Sequence, residues 1–95
     1  MNLDACYSLA ASAALRPERF GGLVYRHDTR RLYFLHSPEL VAFLSSLDPS
    51  RPLGTLLDEF MAARALSPAA RGVFVRALSQ LAHLNLLTPV VPPSH

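Results

Sequence analysis

The chain has no lysine: all nine of its basic residues are arginine. Seven acidic residues leave a formal net charge of +2, a near balance in which one or two groups move the isoelectric point far. Binding to nucleic acid needs a clustered basic face, which this composition does not by itself supply. Arginine forks are, however, well shaped for paired bonds to carboxylates. Cysteine is almost missing as well. Cys6 is the single thiol, so no internal disulfide can form, which fits a reducing cytoplasm. Long apolar runs are absent, because arginine or proline interrupts every stretch well short of a membrane span. Met1 to Cys6 lacks the basic start and apolar centre of a secretion signal. The expectation is a soluble cytoplasmic protein that makes no membrane contact.

Catalytic groupings are equally scarce. The histidines at 27, 36, 83 and 95 have no paired metal-ligand spacing. Asp58 and Glu59 are neighbours on a predicted helix and point about 100° apart, so they cannot act on one atom. Gly21-Gly22 lies inside a strand pattern and reads as close packing or a bulge, not a phosphate cradle. The chain is therefore read as non-catalytic, with no cofactor and no metal.

What is present is a core. Half of the 95 residues are apolar (51%), enough to exclude disorder. A chain this long forms one domain and hides roughly two-thirds of its unfolded surface. Two periodicities divide it. Alternation predicts three strands: Ala13 to Leu15, Phe20 to His27 and Arg31 to His36, with Arg16 to Arg19 and His27 to Arg30 as turns. In the third strand Leu32 or Phe34 is expected to enter the core, leaving Tyr33 and Leu35 on the opposite face for a ligand.

Helical spacing then takes over. Ser37-Pro38-Glu39 is a start signal, with a serine cap, proline at the first position and an early carboxylate. That helix runs through Leu47. A second covers about Leu53 to Ala63, and Ser67-Pro68 opens a third that is predicted to reach about Leu86. The fold class is α+β: a three-stranded antiparallel sheet followed by three helices packed on one face. Residues 1–11 form an N-terminal segment, 12–88 the domain, and 89–95 a flexible proline-rich tail.

The third helix carries more apolar surface than one core face requires. Val73, Phe74, Val75, Ala77, Leu78, Leu81, Ala82, Leu84 and Leu86 span roughly 220° of its circumference at 100° per residue. A surface helix needs little more than about 100°. Either the helix is central and buried by its neighbours, or one flank faces a groove beside the third strand. The groove has support from the sheet, whose outer strands leave unpaired main-chain groups to which an extended peptide could add. Arg30 and Arg31 at the strand entrance are ordinary solvated charges in the first case and attract an acidic segment in the second. Arg71 either extends to solvent or pairs with a carboxylate. Two rival functions stay open. A DNA-binding winged helix needs a polar, basic last helix, which this apolar one is not. A self-associating domain would cover the same edge and flank with a second copy, giving a homodimer.

Three stretches carry a resemblance: Ala14-Leu15-Arg16-Pro17-Glu18, Phe20-Gly21-Gly22-Leu23-Val24-Tyr25 and Thr29-Arg30-Arg31-Leu32-Tyr33-Phe34-Leu35. They resemble the MftB family of mycofactocin-biosynthesis chaperones. The later part, with Leu40, Leu44, Leu53, Leu57, Phe60, Phe74, Leu78 and Asn85-Leu86-Leu87, is similar to the broader PqqD-type recognition domains for ribosomally made peptides. The resemblance implies a winged-helix-like fold, no cofactor, and a chaperone that binds the leader of a precursor peptide as an added strand. It further implies presentation of that peptide to a radical S-adenosylmethionine maturase. By position, it places the groove at Arg31, Leu32, Tyr33, Phe34 and Leu35 on the strand, and at Arg71, Phe74, Val75 and Leu78 on the helix.

Overall fold

In a computed structural model, which describes residues 1–90, the chain is α+β. The strands are β1 (Tyr7–Leu9), β2 (Ala13–Glu18), β3 (Gly21–Arg26), β4 (Arg31–Leu35) and β5 (Leu87–Pro89); the helices are α1 (Pro38–Ser45), α2 (Leu53–Ala63) and α3 (Pro68–His83). The expected sheet is the antiparallel meander β2-β3-β4, with Leu15 opposite Val24 and Val24 opposite Tyr33. β1 and β5 form a separate two-stranded sheet.

β2 is longer than the sequence suggested, continuing through Arg16-Pro17-Glu18 instead of turning there. The His27 N–H donates to the Ser12 carbonyl at 2.8 Å. Pairs two residues apart along the ladder share that bonding, so Pro17, opposite Gly22, occupies a position whose nitrogen points away from β3. A proline on an edge strand with its nitrogen outward costs the ladder nothing. Two glycines close the turn. Gly21 has φ +143°, and a Cβ there would collide with the Leu35 carbonyl oxygen. Gly22 lets α1 lie against the sheet: an added Cβ would sit 2.8 Å from Val41 Cγ2 and 2.9 Å from the Arg16 carbonyl oxygen. Gly22→Ala is predicted to lower stability by about 1–3 kcal/mol, as overpacking does, read as a fall in midpoint by thermal circular dichroism.

The serine cap predicted for α1 is present, with the Leu40 N–H donating to Ser37 Oγ at 3.2 Å. α2 is preceded by Pro52, which gives it no side-chain cap. Its free N–H groups are taken by the N-terminal segment instead: Leu53 donates to the Ala5 carbonyl at 2.9 Å and Gly54 to that of Leu3 at 2.8 Å. The same segment continues into β1, and the Val90 N–H donates to the Cys6 carbonyl at 2.8 Å. Residues 1–11 and Leu87 to Val90 thus pack together on the domain, with Tyr7 and Leu87 in the core. Of the flexible tail expected for 89–95, Pro89 instead ends β5 and Val90 bonds to Cys6, while 91–95 lie outside the described residues.

α3 stops three residues earlier than its apolar pattern implies. Asn85 adopts φ +60°, its N–H donates to the Ala82 carbonyl, and the Leu86 N–H reaches back to Leu81 at 2.9 Å. This is a Schellman end, and asparagine tolerates the left-handed conformation it needs. Leu81 and Leu86, both buried, make its apolar closure. The core gathers Val24 from the sheet, Leu40, Phe43 and Leu44 from α1, Leu57 from α2, and Phe74 and Leu78 from α3. Phe43, Phe60 and Phe74 meet with ring centroids 5.3–6.3 Å apart. Among the described residues no helix is long and apolar enough to cross a membrane.

Candidate functional site

A groove of about 230 Å³ opens between β4 and α3, lined by Tyr33, Phe34, Leu35 and Leu40 on one side and Ala77, Gln80, Leu81 and Leu84 on the other. The helix contributes positions i, i+3, i+4 and i+7, which make one continuous stripe. One long wall is the free edge of the sheet, since β4 is the last strand. The alternation established at His27 turns the even residues of β3 toward β4, so Arg31, Tyr33 and Leu35 bond inward to β3. Leu32 and Phe34 are left with their N–H and C=O directed at the open side.

The side chains of β4 reverse the sequence expectation. Leu32 and Phe34 are 47% and 58% exposed, while Tyr33 and Leu35 are half-buried and pack against the core. All four are apolar or aromatic, so alternation alone could not choose the inner face. Val24 chooses it: fully buried and paired with Tyr33, it fixes which β4 residues face α1 and α3.

The helix residues separate in the same way. Phe74 and Leu78 are buried in the core, and Val75 packs against its margin. Arg71 is on the surface, where its Nε donates to Asp58 Oδ1 at 3.0 Å. The stripe that meets the groove, Ala77-Gln80-Leu81-Leu84, is rotated about 120° from the Arg71-Phe74-Val75-Leu78 stripe at 100° per residue. Arg30 and Arg31 lie exposed at the entrance to β4, with no ion pair among the described residues.

Arg26 sets the position of α3 against the sheet. Its Nη1 donates to the Leu84 carbonyl at 2.9 Å and to that of Asn85 at 3.2 Å, while Nε donates to Asp28 Oδ1 at 2.8 Å. A guanidinium at a helix C-terminus satisfies free carbonyls and opposes the helix dipole. Its bond also holds the Asp28 carboxyl below the usual aspartate range. The Arg26-to-α3 contact spans most of the chain, and the only local hint of it is Asp28 two residues on.

A larger hollow, about 360 Å³, lies between α1 and α2 beside the exposed Arg51–Glu59 ion pair. It borders no free strand edge, so main-chain bonds are unavailable to an extended ligand there. Among the described residues no three His, Cys, Asp or Glu side chains gather as a metal site.

An open strand edge beside an apolar, helix-walled groove is the geometry of domains that recognise extended peptides by strand addition. Residues 6–88 match the peptide chaperone MftB family, and the chain belongs to that family, whose role is non-catalytic. A protein named peptide chaperone MftB from Mycobacterium ulcerans (strain Agy99) is 35% identical over 88 residues, covering 90% of this chain and 75% of that protein. One of the same name from Mycolicibacterium smegmatis (strain ATCC 700084 / mc(2)155) is 30% identical over 89 residues, covering 94% and 83%. No solved structure matches.

Proposed function

We propose that the protein is the peptide chaperone of mycofactocin biosynthesis: it binds the precursor's leader as a fourth strand on β4 and presents it to the radical S-adenosylmethionine maturase. The observation that supports this most is the coincidence of the unpaired Leu32 and Phe34 main-chain groups with the groove walled by Ala77, Leu81 and Leu84. Main-chain bonds along the edge supply affinity, and alternate leader side chains entering the groove supply selection. Below the roughly 300 Å³ usual for drug-sized ligands, the groove suits a few side chains of an extended chain better than one compact molecule. Arg30 and Arg31 attract carboxylates near one end of that strand.

Calorimetric titration with a synthetic precursor leader tests the reading. Leu32→Pro removes an outward N–H while the inward bonds to β3 remain, and is expected to weaken binding about two- to tenfold, the worth of one hydrogen bond at about 0.5–1.5 kcal/mol. Tyr33→Pro removes an inward donor and is expected to damage the sheet itself. A parent protein that shows no saturable heat, or a Leu32→Pro variant that binds as tightly as its parent, sinks strand addition on β4.

A further inference from the structure

The sheet has a second surface, which shares with the groove only Phe34. On its outer face Leu23 lies opposite Phe34 and Tyr25 opposite Leu32, all pointing away from α1. Tyr25, Leu32 and Phe34 are 36%, 47% and 58% exposed, and Phe20, 41% exposed, extends the patch past the β2–β3 turn. Its ring centroid lies 6.0 Å from that of Phe34 and 5.5 Å from that of His36. No helix or strand among the described residues covers this face. A cluster of exposed aromatic side chains on a protein of this size marks an interaction surface.

Charge decides what kind of partner fits. The carboxylates bordering the face are already engaged, Glu18 with Arg16 at 2.9 Å and Asp28 with Arg26 at 2.8 Å. Arg19 in one turn and Arg30 in the other are exposed and have no ion pair among the described residues. The patch is thus apolar at its centre and cationic at both ends. A second copy laid face to face would oppose arginine with arginine, which electrostatic complementarity disfavours.

The face is also continuous with the groove through β4. In a strand added to that edge, residues opposite Leu32 and Phe34 point to the outer face, and their neighbours point into the groove. A bound leader would therefore widen the patch with its own alternate side chains. We infer that the outer sheet face docks a folded protein presenting apolar residues ringed by carboxylates, and that the captured leader completes this surface. Resting on the proposed function, that partner is the maturase to which the leader is delivered.

The test uses Phe20→Ser and Tyr25→Ser, exposed positions outside the groove, in the full chain. Leader affinity is measured by calorimetry, and complex formation with the purified maturase by sedimentation velocity, with and without leader. Both variants are expected to keep leader affinity within twofold of the parent and to weaken maturase binding at least tenfold. Leader is expected to tighten maturase binding by the parent. Maturase binding unchanged in both variants overturns the inference, as does a patch-dependent homodimer in the isolated protein. Failure of the parent to bind leader overturns the capture reading instead, while the titration without leader still decides whether the face docks the enzyme.

Discussion

Ala77→Glu is expected to abolish leader capture, lowering affinity by two orders of magnitude or more, while the domain stays folded. Ala77 stands on the α3 wall of the groove, half-buried, across from Tyr33 and Leu35. Glutamate is nearly as good a helix former as alanine, so the helix itself loses little. In the free protein the carboxylate can extend along the open groove into water. A bound leader would bury it without a partner, and an uncompensated charge costs several kcal/mol, while each 1.4 kcal/mol is tenfold in affinity. The control is Val73→Glu, which adds the same charge to the same helix at an exposed position off the groove. It is expected to bind leader as the parent does. Calorimetry reads both, and equal losses in the two variants would show that charge alone, not the groove, governs binding.

Leu78→Ala acts on the other side of the same helix and has the opposite profile. Leu78 is fully buried among the core residues of α1, α2 and the sheet. Truncating a leucine in such a site costs about 2–5 kcal/mol, out of a total of about 5–15 kcal/mol for a typical domain. At roughly 4–8 °C per kcal/mol for a domain of this size, the melting midpoint should fall by at least about 8 °C. Below that midpoint the groove stripe is intact, so leader affinity should hold. Differential scanning calorimetry with and without saturating leader separates the effects, because bound ligand restores stability by mass action, about 2.7 kcal/mol at a hundredfold excess over Kd. A Leu78→Ala protein as stable as its parent would contradict the core assignment.

These two neighbours, Ala77 and Leu78, show where sequence reasoning stopped. The existence of α3 was legible from its serine-proline start and helical spacing. Its rotation was not, because an apolar arc of about 220° fits several orientations equally well. The same holds for β4. Leu32-Tyr33-Phe34-Leu35 is apolar on both faces, and choosing the wrong parity moves every side chain to the other side. The burial of Val24, opposite Tyr33, against the helices settled it, and that is a tertiary fact. The hairpins and the α1 cap were readable because their signals are local. The three-residue strands β1 and β5 were not, since they pair across some eighty residues and each is too short to show a period. Arg26 belongs to the same class: its hold on the end of α3 is a tertiary contact. The resemblance implies a groove between β4 and α3 with Arg71, Phe74, Val75 and Leu78 on its helical side, whereas the hollow between these elements is lined from the helix side by Ala77, Gln80, Leu81 and Leu84.

Strand addition on β4 makes a claim at the level of single amides. In the free protein the Tyr33 and Leu35 N–H groups are bonded to β3, while those of Leu32 and Phe34 face the open edge. Residue-resolved hydrogen exchange by NMR, with and without a synthetic precursor leader, reads all four. The account predicts that Leu32 and Phe34 exchange fast in the free protein and become protected when leader binds, with Tyr33 and Leu35 protected throughout. Saturable leader binding that leaves Leu32 and Phe34 exchanging as fast as before would contradict it.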